Sequence, residues 1–277
     1  MEQEIELKII LTPNNIPRLT DWLNQLPILK QSKNTLKNTY YDSPDQYFAR
    51  QHMGLRVRNK QERFELTLKT QGEIIGGLHI RPEYNLDLPD AYPDFRRLAA
   101  TFNLPFDDVN QLQQSLQPTF STDFTRIQWL IGFQSSQIDI AFDRGMIRNT
   151  QGQEEICELE FELKQGSLID LITLLELMPK TDGMWLSGLS KAQRGYFVGH
   201  PEKIAKEIEK LTACNLHTLS EKEQYRVEQQ LADFIRLTNH LELYRILDRP
   251  LPASIDYFYS DEYLSKNINL IKRFYPQ

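Results

Sequence analysis

Six stretches of this chain alternate apolar and charged residues with a period of two, and in each the charges gather on one face. Glu4, Glu6 and Lys8 oppose Ile5, Leu7 and Ile9; Arg56 and Arg58 oppose Leu55 and Val57; Glu65, Thr67 and Lys69 oppose Phe64, Leu66 and Leu68. His79, Arg81 and Glu83 oppose Leu78 and Ile80, while Asp139, Ala141 and Asp143 oppose Ile138, Ile140 and Phe142. Glu158, Glu160, Glu162 and Lys164 oppose Cys157, Leu159, Phe161 and Leu163. Successive side chains of a strand point to opposite faces, so each stretch reads as a β-strand with one greasy and one charged side. A single strand of this kind is an ordinary half-solvated edge. Six of them point to one sheet with a common charged side.

The segments between these strands are short or helical. Thr12 caps a helix starting at Pro13, with Ile16, Leu19, Leu23 and Leu26 as its stripe. Strands are expected at 36–42, 54–59, 63–70, 78–88, 122–133, 136–143, 145–149 and 156–164. Short helices are expected after Pro93 and over roughly 106–116, and a strongly apolar one after Gly166-Ser167. Antiparallel strands with short turns suggest a closed barrel or a sandwich, whose greasy face the helices cover. Beyond Pro201 the strand signals stop. The chain therefore divides into residues 1–200 and a helical appendage, 201–277, with a capping box at Ser220 and Glu223 and no recognisable chemistry.

Bulk properties narrow the function. A net charge of −6 argues against duplex nucleic acid as a partner. No run of about 18 apolar residues and no leader pattern is present, so the expected location is cytoplasmic, with no membrane partner. Cys157 and Cys214 lack metal-ligand spacing and are too few for a disulfide framework.

The charged face is either an open solvated side or the lining of a closed barrel. Lys8, Arg56, Arg58, Lys69, Arg81 and Arg126 supply cations, and arginine forks suit phosphate oxygens. Glu4, Glu6, Glu83, Asp139, Asp143, Glu158, Glu160 and Glu162 supply carboxylates. So many acids repel one another unless divalent cations sit among them, and Mg²⁺ or Mn²⁺ takes oxygen ligands together with phosphate. Bases for a polyanion beside acids for its metals describe metal-dependent phosphoryl transfer; a merely solvated sheet is the competing reading.

At these residues the chain resembles the CYTH superfamily, the triphosphate tunnel metalloenzymes. Glu4-x-Glu6-x-Lys8 is similar to the family's ExExK, and Tyr40-Tyr41-Asp42, Leu55-Arg56-x-Arg58, Lys69, Arg81-x-Glu83, Arg126, Asp139, Asp143, Glu158-x-Glu160 and Ser190-Lys191 follow in order. The stretches 76–83 and 120–124 look most like the family's bacterial inorganic triphosphatases. The resemblance implies an α+β fold: an eight-stranded antiparallel β tunnel with a polar interior, covering helices and the C-terminal helical appendage. It implies that Lys8, Arg56, Arg58, Lys69, Arg81, Arg126 and Lys191 bind phosphate oxygens of tripolyphosphate or another triphosphate. It further implies Mg²⁺ or Mn²⁺ held by Glu4, Glu6, Glu158 and Glu160, with Glu83, Asp139, Asp143 and Glu162 as further candidates. Glu4 or Glu6 would orient the attacking water, and Lys191 joins the catalytic set. His79 faces inward by parity as a hydrogen-bonding spectator.

Relatives of this kind often continue into a long histidine-rich helical domain associated with polyphosphate, for which residues 201–277 are too few. Thiamine triphosphatase and class IV adenylyl cyclase are alternatives that need contacts for an organic group, for which Trp129, Trp185 and Tyr41 are the aromatic candidates. A polyphosphate-binding module without turnover is the remaining alternative, and the four glutamates Glu4, Glu6, Glu158 and Glu160 weigh against it.

Overall fold

A computed structural model describes residues 2–276. Its centre is a closed antiparallel barrel of eight strands: β1 (Glu2–Leu11), β2 (Ile28–Asp42), β3 (Gly54–Lys60), β4 (Arg63–Lys69), β6 (Leu78–Leu88), β7 (Gln117–Phe133), β8 (Ser136–Arg148) and β9 (Gln153–Gln165). Hydrogen bonding runs β1-β9-β8-β7-β2-β3-β4-β6 and closes from β6 back to β1, where Glu4 faces Arg81 and Glu6 faces His79. Two short strands, β5 (Glu73–Ile75) and β10 (Met184–Leu186), flank β6 and β1. Closure leaves the main strands no free edge and forces one face of every strand inward.

The greasy parity faces outward. Leu7, Ile9, Ile138, Ile140, Leu159 and Phe161 pack under α1 (Ile16–Leu23) and α5 (Leu168–Leu177). On the opposite side, Leu55, Val57, Leu66 and Leu68 pack under α2 (Tyr47–Arg50), α3 (Phe95–Thr101) and α4 (Val109–Ser115). Helices cover the outside, so the charged parity is left for the bore.

Several boundaries differ from the sequence expectation. β2 begins at Ile28 rather than 36, because its polar first half pairs with β7 without burying a face. Strand β8 runs unbroken through Arg144 and Gly145, where separate strands over 136–143 and 145–149 were expected. A Cβ on Gly145 would lie 2.1 Å from Asp123 O, so the glycine serves close strand approach rather than a turn. The first helix opens as a 3₁₀ turn at Pro13–Asn15 before α1.

One end of the bore is not charged. Leu36, Tyr40, Phe120, Phe124, Ile147, Ile156 and Val198 form an internal apolar cluster on which α6 (Lys191–Phe197) sits. The tail forms α7 (Pro201–Thr212), α8 (Glu221–Thr238) and α9 (Asp261–Phe274). It has a core of its own around Leu231, Ile235 and Phe258. Tyr225, Leu264, Ile268 and Ile271 nevertheless join the barrel's outer core, so the tail is packed onto the barrel wall.

Candidate active site

The bore opens into a cavity of about 990 Å³. Of the residues expected to face a ligand, Glu4, Glu6, Lys8, Arg56, Arg58, Lys69, Arg81, Glu83, Arg126, Asp139, Glu160, Glu162 and Lys191 line it. Asp143 and Glu158 do not. Both are fully buried behind Lys8 and Lys191, and they hold those cations in place.

Two ion-pair clusters organise the lining. In the first, Lys8 Nζ donates to Glu160 at 2.6 Å, and Lys191 Nζ donates to Asp143 at 2.6 Å, to Glu160 at 2.9 Å and to Glu158. Arg126 forks onto Asp143 through two bonds of 2.6 Å and reaches Glu160 at 2.5 Å. Arg194 closes the cluster from behind, at 2.7 Å from Glu158. In the second, Arg81 reaches Glu4 at 3.2 Å and Glu6 at 3.1 Å, while Lys69 pairs with Glu4 and, at 2.9 Å, with Glu83.

The electrostatics follow from these contacts. Burial pushes the Glu4 carboxyl up, but Lys69 and Arg81 outweigh it and hold the group below its usual range. Glu160 is held well below its usual range against burial by Lys191, Lys8 and Arg126. Glu162 accepts from Lys164 at 2.5 Å, but burial outweighs that pair and pushes it up to about 7; Asp139, beside it on β8, is also raised by burial and keeps one oxygen without a partner.

Arg56 and Arg58 differ from the other cations. Among the described residues neither makes an ion pair. Arg58 Nε donates to Asn38 Oδ1 at 2.9 Å, whereas Arg56 Nε is a buried donor without an acceptor. Burial, with Arg56 and Arg126 adding like charge, pushes Arg58 down to about 9. Guanidinium keeps its proton far above neutrality, so this is a half-buried cation lacking an anion.

Asp143, Glu158 and Glu160 place carboxylate oxygens within 4.8 Å of one another, a cluster that could hold a metal ion. An all-oxygen donor set fits a hard divalent cation, and Glu160 presents its side to the cavity.

His79 is fully buried with Nε2 3.3 Å from Ser187 O, and it does not line the cavity. Burial, reinforced by Arg81, pushes its imidazole down to about 3. It is therefore neutral at physiological pH. NMR of the folded protein is expected to show no His79 titration between pH 5 and 8; a titration there would make it a possible proton carrier.

The aromatic candidates lie elsewhere: Trp129 is in the outer core, Tyr41 packs against the α3–α4 side, and Trp185 meets Tyr259. Tyr40, Phe124, Tyr196, Phe197 and Phe234 are the aromatic rings that line the cavity. The sequence reading missed Asn38 and Arg194, which contact Arg58 and Glu158 from behind the wall, and the tail's Lys203, Lys206, Lys210, Arg226 and Asp233 at the cavity wall. Inward parity on β2 marks Asn38, but the tail residues carry no comparable signal.

The closed barrel and its ion-paired bore define a charged-tunnel protein. The CYTH domain profile matches residues 2–196, and the chain belongs to that family. The chain is 42% identical over 211 residues to an inorganic triphosphatase of Haemophilus influenzae, covering 76% of this chain and 59% of the relative. It thus spans about three-fifths of that relative's length. A Hippeastrum protein, described as an adenylyl cyclase candidate with a dominant triphosphatase activity, shares the fold at a TM-score of 0.50 and 19% identity, over 70% of this chain and 95% of that one. No helix among the described residues is long and apolar enough to cross a membrane.

Proposed function

We propose that this chain is a metal-dependent inorganic triphosphatase, hydrolysing tripolyphosphate to pyrophosphate and phosphate. The observation that carries the reading is the pair Arg56 and Arg58, half-buried cations in the cavity wall that make no ion pair among the described residues. A polyanion entering the bore neutralises both, and Lys8, Lys69, Arg81, Arg126 and Lys191 surround its remaining oxygens. The name of the Haemophilus relative supports the same activity.

Glu160, the one member of the three-carboxylate cluster that lines the cavity, would hold Mg²⁺ or Mn²⁺ together with Glu4, Glu6, Glu83, Asp139 and Glu162. When bound, the metal offsets charge on the terminal phosphoryl group. Lys191 and Arg126, fixed by Asp143 and Glu160, meet charge as it develops on the transferred group and need little reorganisation to do so. Glu4, kept ionised by Lys69 and Arg81, suits orienting a water better than removing its proton. Glu6 accepts from Arg81 beside it and faces Glu162 across the β1–β9 pairing.

An inorganic substrate is favoured over an organic triphosphate because the protein itself engages the rings of the lining. Phe124 already carries Lys191 and Arg126 at 5.1 and 5.6 Å, and Tyr40 is stacked on Phe120 at 4.4 Å. Tyr196 likewise meets Phe120 at 5.0 Å and Lys203 at 5.7 Å, and Phe197 meets Phe234 at 6.1 Å, so each lining ring already has a protein partner. The division at residue 200 remains our proposed boundary, supported by the end of the family match at 196.

Phosphate release from tripolyphosphate, ATP and thiamine triphosphate tests the reading, each with Mg²⁺, with Mn²⁺ and with excess chelator. Tripolyphosphate is expected to turn over fastest, with activity lost in chelator. Undiminished release in chelator, or a preference for ATP, would overturn it.

A further inference from the structure

Lys191 stands at the end of the segment 187–190, which joins β10 to α6, and contacts from four directions hold that segment. Ser187 N–H donates to the carbonyl of Lys8 at 3.3 Å, and Ser187 O lies 3.3 Å from His79 Nε2. Ser190 caps α6 in a reciprocal pair with Gln193, at 3.0 and 3.2 Å. The fourth contact comes from the tail: Gly188 N–H donates to Asp233 Oδ2 at 2.8 Å.

Asp233 lies on α8, beyond the part of the chain that the CYTH profile matches. It is only 4% exposed, and its second oxygen accepts from Arg236 Nη1 at 3.2 Å. Arg236 in turn donates to Phe258 O at 2.8 and 3.2 Å, with its guanidinium within 6.0 Å of the rings of Trp185, Phe258, Tyr259 and Tyr263. Trp185 belongs to β10, so the same side chain grips the strand that feeds the segment. A buried ion pair is weak as a fastener, since apolar residues of similar volume often hold a helix as well or better. An apolar pair could not accept the Gly188 N–H.

We propose that Asp233 is a positioning residue for the site: it fixes the 187–190 segment so that Lys191 meets the phosphate oxygens in register with Lys8. The tail then completes the site that the barrel begins. The inference rests on the reading of Lys191 as a phosphate contact, and the experiment separates the two.

The test is calorimetric titration with tripolyphosphate, without added metal, of the full chain. Asp233→Ala removes the acceptor and is expected to weaken binding about 10- to 100-fold, the usual sensitivity of a site to misplacement near 1 Å. Asp233→Asn keeps an acceptor oxygen for Gly188 and should bind as the parent does. The pair Asp233→Leu/Arg236→Met removes acceptor and counter-ion together, strands no buried charge, and should weaken binding as Asp233→Ala does. In a Lys191→Met background, Asp233→Ala should change the Kd no further, because the two act through one contact. Glu228→Gln is the control: it removes the charge of a buried carboxylate on the same helix, paired with the exposed Arg249 away from the segment, and should lower the melting temperature without moving the Kd. Parent-like binding by Asp233→Ala or by the Leu/Met pair, or an equal loss without Lys191, would overturn the proposal. A parent that binds no tripolyphosphate would instead overturn the reading of the bore itself.

Discussion

Glu160→Gln is expected to lower turnover of tripolyphosphate by about 100-fold or more while binding stays at the parent level or tightens. Glu160 is the carboxylate on which the first cluster converges, receiving Lys8, Lys191 and Arg126 at 2.6, 2.9 and 2.5 Å. The amide keeps the volume and an acceptor oxygen, so the wall is not opened. It removes a negative charge that both repels a polyanion and competes for its cations, which favours the ground-state complex. The same charge would hold the divalent cation and keep Lys191 and Arg126 in place as charge shifts to the leaving group, where losing one preorganised electrostatic contact costs roughly 10²–10³ in rate. Without ligand the variant should melt lower, since three buried cations lose a shared partner, and tripolyphosphate should recover the difference because it binds only the folded chain. Phosphate-release kinetics, calorimetry and thermal denaturation read the three quantities. Near-parent turnover would remove Glu160 from the catalytic set.

The bore was legible in the sequence because strand parity is a strict rule: once Ile5, Leu7 and Ile9 need helices outside, Glu4, Glu6 and Lys8 have only the inside. Closure did not follow from parity, which fits an open solvated face as well; the family resemblance supplied it. What parity could not show is depth along the bore. Asp143 and Glu158 share the inward face with Glu160 but lie behind Lys8 and Lys191, which depends on how α6 inserts its first residue. The greasy plug at Phe120, Phe124, Ile147 and Ile156 was equally hidden, because apolar residues on the inward parity look like errors in the alternation. The site's dependence on the tail was least visible. Asp233 and Arg236 sit three apart on a helix and read as a solvated surface pair, whereas Trp185, Phe258, Tyr259 and Tyr263, drawn from distant segments, bury them. Only tertiary packing distinguishes the two cases.

Removing the cation that has no counter-ion should separate binding from stability in the opposite sense to removing one that has. Arg58 is pushed down to about 9 by burial and by its neighbours Arg56 and Arg126. A base whose folded value lies below its unfolded value costs the folded state stability at all pH values below that folded value, and the cost fades only as pH rises from about 9 toward the ordinary arginine range. At neutral pH, therefore, Arg58→Ala should leave the ligand-free protein as stable as the parent or more so, the relief of repulsion offsetting one lost hydrogen bond to Asn38. Its tripolyphosphate Kd should rise about 10- to 100-fold, the equivalent of one charge-assisted contact of roughly 1.5–3 kcal/mol. Arg126→Ala should behave otherwise. It leaves the fully buried Asp143 to Lys191 alone and Glu160 with less positive charge, a loss of up to about 3–5 kcal/mol, the cost of removing one partner of a buried pair. Thermal denaturation without ligand and calorimetric titration with tripolyphosphate measure both quantities for both variants. A destabilised Arg58→Ala with unchanged affinity would mean that Arg58 serves the fold, and the assignment of the unpaired arginines to a polyanion would fail with it.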